Sequence, residues 1–130
     1  MTDIKSFLKA SCFGVAGASA DRRKYGNKVL RALLAQEKTA IPIHPQASMI
    51  EGQVAYPTIA SAPRIERLCV ITPPKITESV VAQAIANDIP QVWMQPGAAS
   101  ELAIRMAIEG GMKVIAGGPC ILVSLRFNAD

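Results

Sequence analysis

Five short apolar segments rich in β-branched residues constrain this chain more than anything else in it. They run from Cys12 to Ala16, Ala40 to Ile43, Leu68 to Thr72, Gln91 to Met94 and Lys113 to Ala116, and successive ones begin 22 to 28 residues apart. That interval leaves room for one helix between neighbours, so the pattern reads as successive βα units in a parallel sheet. The segments show little alternation, as expected of strands covered on both faces. Between the first two, Val29, Leu30, Leu33 and Leu34 form a helical stripe, with Lys28, Arg31 and Glu37 pointing elsewhere. Ile76, Val80, Val81, Ala84 and Ile85 repeat the pattern after the third segment, with Glu78 in the first turn. After the fourth, Ser100 to Glu109 carries Leu102, Ala103, Met106 and Ala107, and Gly110-Gly111 stops the helix. A further helix is expected over Ile4 to Ala10, capped by Thr2 or Asp3. Gln46 to Glu66 holds Gly52, Pro57 and Pro63 without a sustained stripe, and reads as a loop with a short helical turn near Thr58 to Ala62. The expected architecture is a single α/β domain over residues 1–130, a Rossmann-like, doubly wound, five-stranded parallel sheet with helices on both faces and strand order 3-2-1-4-5.

Composition narrows the function. Half the residues are apolar and 18% are charged, which excludes a disordered chain. No apolar run reaches the roughly 18 residues a membrane helix needs, and the start Met1-Thr2-Asp3-Ile4-Lys5 lacks the apolar stretch of a signal peptide, so no membrane partner and a cytoplasmic location are expected. Aromatics are scarce at 5%, against a base-stacking surface, and no nucleic-acid partner is expected. Cys12, Cys69 and Cys120 form no C-x-x-C pair and His44 is the only histidine, so a disulfide framework or zinc site is not expected. The net charge of +4 is unevenly placed. Residues 1–31 carry Lys5, Lys9, Arg22, Arg23, Lys24, Lys28 and Arg31 against Asp3 and Asp21, a local balance of +5, while the remainder is close to neutral. One anionic ligand at one place would account for that distribution, as would a solvated helix face.

In a doubly wound sheet, ligands bind beyond the carboxyl ends of the strands. The loop after the first strand reads Gly17-Ala18-Ser19-Ala20-Asp21-Arg22-Arg23-Lys24-Tyr25-Gly26. Its small residues let backbone amides approach a phosphate, and the next helix presents its positive end beside Arg22, Arg23 and Lys24. Gly26 suits close packing or backbone approach near the helix start. The loop is not the dinucleotide fingerprint, since Ser19 and Arg22 stand where G-x-G-x-x-G requires glycine, nor is it a P-loop. The second strand ends Ile43-His44-Pro45-Gln46, without the acid that holds a nicotinamide ribose. Thr72-Pro73-Pro74-Lys75 after the third strand offers a stiff wall without N–H groups, equally readable as a proline start to a helix. Trp93-Met94-Gln95-Pro96-Gly97 places an amide just past the fourth strand.

Together these loops resemble the small stand-alone CoA-binding proteins, relatives of the N-terminal domain of the succinyl-CoA synthetase α subunit. The resemblance runs from about Cys12 to Leu122. It is carried by Val15-Ala16-Gly17-Ala18-Ser19, Ile41-Pro42-Ile43-His44-Pro45, Tyr56-Pro57-Thr58, Val70-Ile71-Thr72-Pro73-Pro74, Val92-Trp93-Met94-Gln95-Pro96-Gly97 and Gly118-Pro119-Cys120-Ile121-Leu122. It implies coenzyme A or an acyl-CoA as ligand. The diphosphate would lie on Gly17 to Ser19 near the cations, His44 and Pro45 would line the nucleotide, Thr72, Pro73 and Pro74 would pack on the pantetheine or adenine, and Gln95 would stand near the adenine. Where the family often has Asn-Pro-Lys, this chain has His44-Pro45-Gln46, one cation fewer, and Arg22, Arg23 or Lys24 would have to compensate.

The resemblance implies a binding module without chemistry of its own. The alternatives are an NAD(P)-binding protein, or a thiol-based redox or acyl-transfer enzyme in which Cys120 is activated at a helix start and His44 accepts the proton. With strand order 3-2-1-4-5, His44 and Cys120 would follow strands about 14 Å apart. The sequence leaves open a homo-oligomer and the choice between free CoA and an acyl-CoA.

Overall fold

The structure is a computed structural model that describes residues 4–126. In chain order the elements are α1 (Ile4–Leu8), β1 (Cys12–Ala16), α2 (Tyr25–Ala35), β2 (Thr39–Ile43), β3 (Met49–Ile50), β4 (Gln53–Val54), β5 (Arg67–Val70), α3 (Pro74–Ala86), β6 (Gln91–Met94), α4 (Glu101–Glu109), β7 (Lys113–Ile115) and α5 (Ile121–Ser124). The Thr2 or Asp3 cap expected for α1 lies outside the described residues. Each expected strand and helix forms, with ends moved by a few residues at most. Ser100 caps α4 by accepting the Ala103 N–H, and its hydroxyl donates to Glu78 Oε2 at 2.8 Å, tying α4 to α3.

The five longer strands make one parallel sheet in the order β2-β1-β5-β6-β7. Alternate residues of each strand face opposite layers. Leu68, Val70, Val92, Met94 and Val114 pack with Val80, Val81, Ala84, Ala103 and Ala107 of α3 and α4. Phe13, Val15, Cys69, Trp93 and Ile115 pack with α1, α2 and α5, where Phe7 meets the Trp93 ring edge-on at a centroid distance of 5.4 Å. The Rossmann-like α/β class is as expected.

The strand order differs from the 3-2-1-4-5 expected. Counted along the five long strands it is 2-1-3-4-5, so β2 is an edge and β1 lies inside. Two local features dictate this. Pro42 sits in β2, has no N–H to donate to a second neighbour, and is therefore suited to an edge strand. The connection from β2 to β5 contains no helix, so it does not wind β5 onto the far side of β2. It instead crosses β1, with the Ile65 side chain seated where Gly14 has no Cβ; a methyl there would lie 2.6 Å from Ile65 Cδ1.

That connection also contains a small antiparallel hairpin, β3–β4, in a stretch expected to be loop. Its turn holds Glu51 and Gly52, both at positive φ (51° and 77°), as a two-residue hairpin turn requires. Beyond the hairpin the chain closes the edge of β2: Tyr56 N–H donates to Pro42 O at 3.0 Å, and His44 N–H donates to Tyr56 O at 2.9 Å. The turn near Thr58 to Ala62 forms, without becoming a regular helix.

Candidate functional site

The reversal of strand order falls between β1 and β5, so the crevice expected of this topology opens between their carboxyl ends. Gly17, at φ 91°, lies so close to the loop after β5 that a Cβ there would overlap the carbonyl oxygen of Ile71. Gly26, in the first turn of α2, is under the same constraint: its Cβ would overlap the Gly17 carbonyl oxygen. These two glycines bring the phosphate-sized loop, the start of α2 and the loop after β5 into contact.

A cleft of about 360 Å³ occupies the crevice. Its near side is Gly17, Ala18, His44, Pro45 and Thr72, five of the residues expected from sequence. Its far side, made by Ile43, Pro57, Ile59, Ile76, Val80 and Gln83, was not expected as a site. Ile76 and Val80 read as core positions of a helical stripe, but Ile76 lies at the mouth and is 53% exposed. A smaller recess of about 300 Å³ adjoins the cleft across Thr72 and takes in Pro73, Gln95, Pro96 and Gly97. Pro74 lines neither; it is the first residue of α3.

The loop after β5 is held from within. Thr77, fully buried, puts its hydroxyl 2.7 Å from Thr72 Oγ1 and 3.2 Å from the carbonyl oxygens of Thr72 and Pro73. The loop after β2 is held by His44, whose Nδ1 accepts the N–H groups of Gln46 (3.0 Å) and Ala47 (2.9 Å). Two donors on Nδ1 leave the ring proton on Nε2, so His44 presents a donor outward.

On the β1 side, the N–H groups of Ala18, Ser19 and Ala20 find no acceptor among the described residues. The start of α2 has no side-chain cap and no acid in its first turn. Backbone donors and the positive end of an 11-residue helix therefore converge at the head of the cleft. The expected cations are unequal. Arg23 is committed to Asp21 through two side-chain bonds of 3.1 and 3.0 Å, and that pairing holds the Asp21 carboxyl down to about 2. Arg22 Nε lies 3.3 Å from Glu51 Oε2, in the turn of the β3–β4 hairpin. Lys24 stands exposed at the head of α2. Tyr25 is 58% exposed, with Lys28 Nζ 5.5 Å from its ring centroid.

Behind the cations is a buried polar link that sequence did not suggest. Asn27 has no exposed surface; its Nδ2 donates to Ser19 O and Glu51 Oε2, both at 2.9 Å, and its Oδ1 accepts from Arg31 Nε at 2.7 Å. Ser19, Arg22 and the hairpin are thereby joined. An Asn within a helical stripe was the available signal.

Gln95 is 95% buried in effect, with 5% of its surface exposed, and its amide serves α5: Oε1 accepts the Ile121 N–H and Nε2 donates to Cys120 Sγ, both at 3.1 Å. Cys120 precedes a helix of four residues. It follows β7, whereas His44 follows β2, and these are the two opposite edges of the sheet. Four strand spacings, about 19 Å, separate them, more than a 3-2-1-4-5 order gives. Burial pushes the thiol of Cys69, in the core, strongly up; Cys12 is only partly buried, and burial and Glu66 push its thiol up. Among the described residues no cluster of His, Cys, Asp or Glu could hold a metal, and no helix is long and apolar enough to cross a membrane.

The same fold recurs in solved structures. A hypothetical protein from Pyrococcus horikoshii OT3 superposes with a TM-score of 0.91 at 27% identity, over 97% of this chain and 91% of that one. A conserved hypothetical protein from Pyrococcus furiosus matches at 30% identity and a TM-score of 0.83, over 88% of this chain and 99% of that one. The dinucleotide-forming acetyl-coenzyme A synthetase 1 of Ca. Korarchaeum cryptofilum matches at 26% identity and a TM-score of 0.77, over 98% of this chain but only 31% of the enzyme. The family model described as "CoA binding domain" matches residues 12–126, which include every loop around the cleft, and the chain belongs to that family.

Proposed function

We propose that this protein binds coenzyme A or an acyl-CoA in the crevice between β1 and β5, as a binding module without catalytic chemistry of its own. The observation that carries the reading is the meeting of two unlike surfaces at one place. Uncommitted backbone donors and the head of α2 suit a diphosphate, and the apolar cleft beside them suits an adenine or pantetheine. Membership of the CoA-binding domain family and the likeness to an acetyl-coenzyme A synthetase domain support the same ligand. Arg22 and Lys24 are the cations placed to meet the phosphates, and His44 Nε2–H and Thr72 supply polar contacts along the near wall. Pro73 packs on the ligand where cleft and recess meet. Gln95 acts indirectly, by fixing the segment that follows β7.

Two alternatives have less behind them. An NAD(P) site would need an acid or a dedicated cation at the end of β2, where His44 stands with Nδ1 already engaged. A thiol enzyme would need Cys120 and His44 to meet across the width of the sheet. Titration calorimetry with CoA, acetyl-CoA, NAD and NADP tests the proposal. The expected result is that a CoA species binds more tightly than either nicotinamide nucleotide; tighter binding of NAD than of any CoA species would overturn it.

A further inference from the structure

The far wall of the cleft is apolar except at one point. Ile76, Val80 and Gln83 stand at i, i+4 and i+7 on one face of α3, and Gln83 is the polar member of that row. Ile43, Pro57 and Ile59 complete the wall around it. The Gln83 amide is oriented from the protein side: its Oε1 accepts the Ile59 N–H at 3.2 Å, which leaves the NH2 on the other arm. That NH2 has no acceptor among the described residues. Gln83 is half-buried, and a donor in such a wall is satisfied when a ligand brings the acceptor.

We infer that Gln83 reads the adenine ring of the ligand, donating from Nε2 to a ring nitrogen, so that this cleft and not the recess beyond Thr72 holds the nucleotide half. The inference rests on the CoA reading above. Coenzyme A leaves its diphosphate in two directions, toward a planar base and toward a flexible chain with two amides. The base has two apolar faces and acceptor nitrogens around its edge. It suits a slot with Pro45 on one wall, Ile59, Ile76 and Val80 on the other, and a single donor set among them. The amides of the pantetheine chain need donors and acceptors together, and the recess is lined by the turn Gln95-Pro96-Gly97 in place of an apolar helix face. The bond to Ile59 also gives the contact its selectivity. With Oε1 held there, the amide cannot turn over to offer its oxygen, so the position accepts a ring nitrogen and rejects a hydrogen-bond donor.

Calorimetry with CoA, adenosine 3′,5′-bisphosphate and 4′-phosphopantetheine, on the wild-type chain and on Gln83→Glu, tests this. The substitution keeps an oxygen for the Ile59 N–H and puts a second oxygen where the NH2 stood. It is expected to weaken CoA and adenosine 3′,5′-bisphosphate at least about tenfold and to leave 4′-phosphopantetheine within about twofold. The phosphate of that last fragment also registers any repulsion from the new carboxylate alone. Far-UV circular dichroism checks that the variant folds. On the wild-type chain, the side-chain NH2 resonances of Gln83 are expected to shift saturably with adenosine 3′,5′-bisphosphate and not with 4′-phosphopantetheine, a readout that needs no variant. CoA binding indifferent to Gln83→Glu, a loss that falls on 4′-phosphopantetheine, or unmoved NH2 resonances would each overturn the inference and leave the CoA reading standing. A wild-type chain that binds no CoA species would overturn that reading, and this inference with it.

Discussion

The two ends of the sheet solve one electrostatic problem in opposite ways. At the amino end, Glu66 lays its carboxylate on the chain's own backbone: Oε1 accepts the N–H groups of Cys12 (3.1 Å) and Ser11 (3.3 Å), and these bonds hold its carboxyl below the usual range. At the carboxyl end, the N–H groups of Ala18, Ser19 and Ala20 have no such internal anion among the described residues: Asp21 is turned to Arg23, and Glu51 to Arg22 and Asn27. An anion on backbone donors is structural where the protein supplies it, and a means of recognition where the ligand must. The same interaction is closed within the chain at the amino end and left open at the carboxyl end, where the proposed ligand would supply the anion.

The comparison breaks most visibly at Gly26. A Gly26→Ala chain must move the head of α2 away from the Gly17 carbonyl, opening the donor loop. We expect a loss of about 2 to 4 kcal/mol of stability, read from the urea midpoint, and loss of CoA binding with it. The next largest effect falls on Arg22. Its replacement by Ala removes a charge-assisted contact and is expected to weaken CoA binding by about 1.5 to 3 kcal/mol in calorimetry, whereas Arg23→Ala, whose guanidinium is committed to Asp21, should change it little.

At the scaffold end the readout is pH. The folded carboxyl of Glu66 titrates below its unfolded value, so its contribution is present above about pH 4.3 and lost as pH falls through the folded value. Glu66→Gln should lower the thermal midpoint at neutral pH, narrow the gap to wild type as the pH falls below about 4.3, and leave CoA affinity unchanged. The smallest effect is expected at Glu51. Glu51→Gln releases Arg22 from an exposed ion pair and should tighten CoA binding by a few-fold, within the about 1 kcal/mol such pairs carry.

Much of the scaffold was legible because its signals are periodic. The five apolar segments and the stripes between them mark strands and helices wherever burial imposes a period of its own. The observed strand order departs from the expected one for a reason visible in the sequence: Pro42 inside β2 suits an edge strand, and it outweighs the commoner order. The hairpin escaped notice because its strands are two residues each and its turn uses Glu51, not Asn or Asp, at positive φ. The near wall of the cleft was legible from loops at strand ends. The far wall was not, because Ile76 and Val80 satisfy a helical period whether they face a core or a cleft. Asn27 and Glu51 are 24 residues apart and meet only through the tertiary fold.

The central claim is that the ligand sits on the donor end of the sheet, between β1 and β5. Amide chemical-shift mapping during a CoA titration tests this most directly. The expected result is saturable shifts at Ala18, Ser19, Lys24, His44 and Thr72, with Ser11, Cys12 and Glu66 unmoved. Shifts confined to the amino end or to the α4–β7 face, or no shifts at millimolar CoA, would contradict it.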